Sequence, residues 1–201
     1  MEFVFFMLML VFVARHFQGR DERRRMALLS QHLGHYQIEK LMETLTDGYM
    51  RALSQPDTER QSQIWSMLDT AEKTLSEQFT RLVADFARAD ADATRVSTLP
   101  LSIFYTGKLL PGNTFDLRKA LAVHAHGINA AVANAEHHAP KDKAFTLLAE
   151  MFLMQHTCHW YCKSKGVASA RLVLRHQTPY AKVLDSVAPA TRQAYCALVA
   201  G

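Results

Sequence analysis

Residues 3–14 read FVFFMLMLVFVA, twelve in a row without a polar side chain. No other stretch limits the possible folds as sharply. As a helix it is about 18 Å long at 1.5 Å per residue, against a hydrocarbon core of about 30 Å. Counting from Met1 to Phe17, with Glu2 and Arg15 reaching outward, extends it to about 25 Å. That is a marginal span, suited to a shallow seat or a locally thinned bilayer.

Three fates compete for this segment. A cleavable signal peptide starts basic and ends on small residues. This one starts with Glu2 and is followed by Arg15-His16-Phe17. A buried core helix fits its length, since runs of 10–14 apolar residues often serve that purpose. Yet it is apolar on every face and terminal, which favours a membrane anchor carried by Phe3, Phe5, Phe6, Leu8, Leu10 and Phe12. Arg15, Arg20, Arg23, Arg24 and Arg25 follow the segment and no base precedes it. The positive-inside rule then places the bulk of the chain on the cytoplasmic side, as a single-pass or monotopic protein. Met26 is an alternative start, from which the chain would lack the anchor.

The remainder reads as helical. Gly (8) and Pro (6) are few, and 49% hydrophobic with 21% charged residues is too apolar for disorder. Apolar residues recur at helical spacing from Asp21 to Leu53, which predicts one long helix that Gly34 and Gly48 weaken without ending. Ser54-Gln-Pro-Asp57 breaks the chain, with Ser54 or Asp57 as the next cap. Over 57–88 the clearest stripe runs through Ile64, Leu68, Ala71, Leu75, Phe79, Leu82 and Phe86, broadened by Trp65, Met67 and Val83. It is either a core face or, as the lesser alternative, a partner-binding groove. Residues 90–100 read as a linker, and Leu101–Tyr105 as a short helix. Further helices are expected from a Thr114 cap to Ala135, from Pro140 to Gly166, and at 167–175, 179–187 and 189–199. The Pro140 helix should bury Phe145, Leu148, Met151 or Phe152, Gln155, Cys158 and Cys162. The expected fold is all-α: an anchor helix followed by an antiparallel multi-helix bundle. Its parts are an anchor at 1–17, a basic juxtamembrane helix at 18–56, and the bundle at 57–201, which forms one domain with 18–56.

The net charge of +4 is mild, but it is unevenly placed. Residues 43–92 carry ten acids and five bases; residues 163–201 carry six bases and one acid. The two regions suit mutual attraction, or a basic end facing anionic lipid. Nothing organises the bases into a nucleic-acid reading face, so no nucleic-acid partner is expected.

Three cysteines, Cys158, Cys162 and Cys196, are no disulfide framework and fit a reducing compartment. The densest constellation is His156-Thr-Cys158-His159-Trp160-Tyr161-Cys162. Two thiols and an imidazole within one turn suit zinc, with His156 or a histidine of the preceding helix completing the set. Against this, small buried cysteines and rim histidines explain the same pattern. Catalytic signatures are missing: there is no Glu-x-x-His, no His-Glu-x-x-His, no Gly-x-Ser-x-Gly and no Gly-x-Gly-x-x-Gly, and Thr106-Gly107-Lys108 lacks the flanks of a phosphate loop. The leading expectation is therefore a membrane-tethered, non-enzymatic interaction or scaffold module that binds a protein partner or itself. The alternatives are a metal- or redox-responsive domain using Cys158, His159 and Cys162, and an enzyme with a small-molecule pocket in the bundle core.

Overall fold

The computed structural model describes residues 2–98 and 111–200. Among these, eight α-helices carry the fold: α1 Glu2–Leu33, α2 Ile38–Ser54, α3 Thr58–Phe86, α4 Leu117–Ala133, α5 Pro140–Cys162, α6 Lys165–His176, α7 Tyr180–Ser186 and α8 Pro189–Ala200. The chain is all-α with a long apolar N-terminal helix, as the sequence leads one to expect. The short helix expected at Leu101–Tyr105 lies outside the described residues.

Helix α3 follows its pattern closely. Asp57 accepts from the backbone N–H groups of Glu59 and Arg60, an N-cap that satisfies two orphan donors. Leu68, Leu75, Phe79, Leu82 and Phe86 are buried against α2 and α4. The stripe is thus core. Met67 does not broaden it: its side chain is 76% exposed.

Helix α5 is the centre of the bundle, touching α1, α2, α4, α6 and α7. Its buried residues therefore surround the axis instead of forming one stripe, and Ala144, Leu147, Met151, Leu153, Met154, Trp160 and Tyr161 are all buried. Phe145, expected inside, is exposed. A second small core under α7 and α8 gathers Leu153, Leu172, Val183, Val187 and Tyr195.

Several boundaries differ from expectation for identifiable reasons. The helix foreseen over 21–53 is two helices. The chain turns at residues 34–37, where Gly34 N–H bonds Ser30 O and Tyr36 N–H bonds Leu33 O; the Tyr36 hydroxyl donates to Asp85 on α3. The N-cap of α4 is Asp116, whose side chain accepts from Arg118 N–H, and Thr114 instead sits in a strand. That strand, β2 (Thr114–Asp116), pairs antiparallel with β1 (Arg95–Ser97), inside the stretch read as a linker. The hairpin is fixed by α5: Trp160 Nε1–H donates to Ser97 O (2.9 Å) and the Tyr161 hydroxyl to Ala93 O (2.9 Å). Gly166 does not close α5, which ends at Cys162; it lies in the first turn of α6.

Candidate functional site

The N-terminal segment is the most unusual surface of the molecule. Phe3 to Val13 are exposed on every side of α1, from 38% at Val13 to 75% at Phe3. None of the six anchor residues, Phe3, Phe5, Phe6, Leu8, Leu10 and Phe12, is buried. Fully covering eleven such side chains is worth up to about 17 kcal/mol at the low end of about 1.5 kcal/mol each. Among the described residues this is the one helix long and apolar enough to cross a membrane.

The same helix continues into the domain without a break. Beyond residue 17 one side of α1 turns inward. Glu22 pairs with Lys163, Arg25 donates to Tyr161 O (3.3 Å) and pairs with Asp21 (2.8 Å), and Leu29 is buried. The other side carries Arg20, Arg23 and Arg24, and Arg15 precedes the docked part; all four are exposed. Of the five arginines expected at the membrane, Arg25 alone is used internally. Among the described residues the other four make no ion pair.

The His/Cys turn of α5 is divided by its neighbours. His156 is fully buried on the α6–α7 side: its Nε2 meets Ser169 Oγ at 3.1 Å and its ring stacks on Tyr180. Cys158 and Cys162 pack half-buried on the main core, on the α1–α2 side. His159 is half-buried, its proton affinity lowered by burial and then by Arg171 and Arg175. Burial pushes the Cys158 thiol up to about 12 and the Cys162 thiol up to about 11. Both thiols are therefore protonated near neutral pH, which makes them poor nucleophiles. Among the described residues no group of three His, Cys, Asp or Glu side chains is arranged to hold a metal ion. The zinc expectation has no geometric support here. Cys196 is exposed, on α8.

A buried polar seam between α4, α5 and α8 was not foreseen. Glu150 on α5 is fully buried in an otherwise apolar stretch. Its Oε1 accepts from Ala188 N–H (3.0 Å), the residue before α8, so the carboxyl satisfies a backbone donor at that helix's N-terminal end. The Thr191 hydroxyl lies beside it, and both crowd against Gly127 of α4. A β-carbon at Gly127 would overlap both oxygens. Further along, His124 Nε2 meets Thr157 Oγ1 at 2.9 Å, and Thr157 in turn meets the Tyr195 hydroxyl at 3.1 Å. Burial raises Glu150 to about 7 and lowers His124 to about 3 and His156 to about 4. At neutral pH the two imidazoles are uncharged. A lone Glu within LLAEMFLM and a mid-helix glycine were the available signals in the sequence.

A second buried acid, Glu72 of α3, pairs with Lys143 and accepts from the Tyr49 hydroxyl at 2.6 Å. Beside it lies a surface cleft of about 630 Å³, lined by Asp69, Lys73, Asn129, His137 and Lys143 among others. Its lysines are already paired, Lys73 with Asp69 (2.6 Å) and Lys143 with Glu72.

No family model matches the chain, and no curated protein or solved structure matches it.

Proposed function

We infer that the chain is a membrane-tethered helical module whose domain faces the cytoplasm and acts by binding protein partners. The observation that carries this reading is the all-round exposure of Phe3 to Val13 on a helix continuous with the domain. Up to about 17 kcal/mol of uncovered apolar surface exceeds the stability of many whole domains. A bilayer covers such a rod on every side, whereas a protein groove covers one. The arginines just after it supply the orientation.

The interaction role rests on the site chemistry. The buried polar groups Glu150, His124 and Thr157 bond within the bundle and serve its packing. The stripe from Leu68 to Phe86 is buried in the core. Partner contacts therefore belong to the outer faces, where Met50, Met67 and Leu174 stand 61%, 76% and 83% exposed.

Two measurements test the reading. Full-length protein should stay with membranes through alkaline carbonate extraction, and Leu8→Arg should release a part of it, since an arginine at mid-span costs about 2.5–3.5 kcal/mol. Recovery of the wild type in the supernatant would sink the tether. A membrane-impermeant maleimide should label Cys196 only after cells are opened; labelling of intact cells would reverse the orientation.

A further inference from the structure

Helix α1 separates its charges by direction. Its two carboxylates past the apolar run, Asp21 and Glu22, turn toward the domain and are taken by Arg25 and Lys163. Arg20, Arg23 and Arg24, all exposed, lie on the other side of the helix, and Arg15, two turns before Glu22 on nearly the same line, is exposed ahead of the docked part. Arg15, Gly19 and Arg23 recur every four residues, and His16 and Arg20 form a parallel row. These five line a shallow depression of about 300 Å³. Its floor is Gly19, where a β-carbon would meet nothing within 4 Å. Like charges one turn apart destabilise a helix by a few tenths of a kcal/mol. Three guanidinium groups around an open floor, without a carboxylate among the described residues, are a receptor for an anion.

Position identifies the anion. Arg15 directly follows the apolar run, and Arg23 lies about 12 Å further along the helix. The headgroup zone is about 5–7 Å deep on each side of the hydrocarbon, and charge reaches about 8 Å beyond it at physiological salt. The whole face therefore sits where lipid phosphates are. We propose that Arg15, Arg20 and Arg23, around Gly19, bind the phosphate headgroup of an anionic phospholipid. The proposal rests on the membrane reading above and adds a lipid class to it. An arginine set that merely fixed orientation would show no lipid preference.

The test uses full-length protein in mild detergent, exchanged with phosphatidylcholine or phosphatidylglycerol, with retained lipid counted by native mass spectrometry. Wild type should retain phosphatidylglycerol in preference. R15Q/R20Q/R23Q should weaken that retention by about 100-fold, roughly fivefold per basic side chain near an anionic surface. Gly19→Leu keeps every charge, favours helix and fills the depression; it should also lose retention, and it keeps the proposal testable if the triple variant misfolds. Equal retention of both lipids by wild type, unchanged preference in Gly19→Leu, or displacement of the lipid by equimolar inorganic phosphate would overturn the proposal. Carbonate-resistant insertion into pure phosphatidylcholine vesicles isolates the anchor. Its failure overturns the tether and the headgroup site together, whereas insertion without lipid preference overturns the headgroup site alone.

Discussion

Glu150 and Gly127 depend on each other. The carboxyl reaches the start of α8 only because α4 has no β-carbon at residue 127. Gly127→Ala should therefore destabilise the protein by about 1–3 kcal/mol through overpacking, although alanine is the better helix former by about 1 kcal/mol. Urea denaturation of the full-length protein in micelles measures this; a stabilised variant would show that the seam yields freely. The seam also sets a pH response. Unfolded, a glutamate titrates near pH 4.3 and histidines near 6.5. Folded, His124 and His156 are lowered to about 3 and about 4, so their contribution is complete above about pH 6.5 and is lost as the pH falls. Glu150, raised to about 7, has the opposite sign: its contribution is present below about pH 4.3 and is lost as the pH rises through 7. Between about pH 4.5 and 6.5 the two histidines thus outweigh the one acid, and stability rises with pH at a net slope of about one proton from these three groups. Glu150→Gln removes the opposing member and should steepen the rise by about one proton. Other shifted groups, such as His159 and His176, act in both proteins, so the difference in slope is the readout. Equal slopes would mean that Glu150 is ionised throughout.

Helix α3 shows which parts of the fold are readable from spacing. Leu68 and Met67 are neighbours in the chain, yet one is 6% and the other 76% exposed. Leu68→Ala should cost about 2–5 kcal/mol, whereas Met67→Ala should stay within about 0.5 kcal/mol. Comparable losses at both, by thermal melting, would mean that Met67 is covered in solution, as at an oligomer interface. Period alone gave the buried face of α3 because that helix has one covered side. It misassigned α5 because a helix packed on five others has no single stripe, and Phe145 falls in the gap. The turn at residues 34–37 was hidden because apolar residues continue through it. The β1–β2 hairpin was hidden because three-residue strands have too little alternation to register, and Trp160 fixes them from far along the chain. For the site, the exposed apolar run and the arginines after it were plain in the sequence. Their division into an inward side with Glu22 and Arg25 and an outward side with Arg20 and Arg23 required the position of α5. In the His/Cys turn the neighbours of α5 decide as well: His156 and Cys158, two residues apart, fall on different sides of one helix.

For the whole molecule the decisive property is that anchor and domain share one helix. Thirty-two residues make a rod about 48 Å long, of which the first half is exposed and the second is docked. A flexible linker would let the domain tumble above the bilayer. With α1 in a bilayer, as proposed, a docked rod would hold the domain in one orientation, with the C-terminal end of α5, which lies beside residues 22–25, nearest the lipid. That orientation depends on the docking contacts, among which the Glu22–Lys163 pair joins α1 to the residue just after α5. Charge reversal by Glu22→Lys should loosen the second half of α1 while leaving its hydrophobic anchor untouched. Amide exchange over residues 18–30 in micelles should accelerate about fivefold, the effect of an ion pair worth about 1 kcal/mol. Adding Lys163→Glu restores opposite charges and should return most of the protection. If the single reversal leaves exchange unchanged, Leu29 and the Arg25–Tyr161 contact hold the rod without it. If it accelerates exchange throughout the bundle, α1 is a structural member of the domain and cannot move as a separate tether.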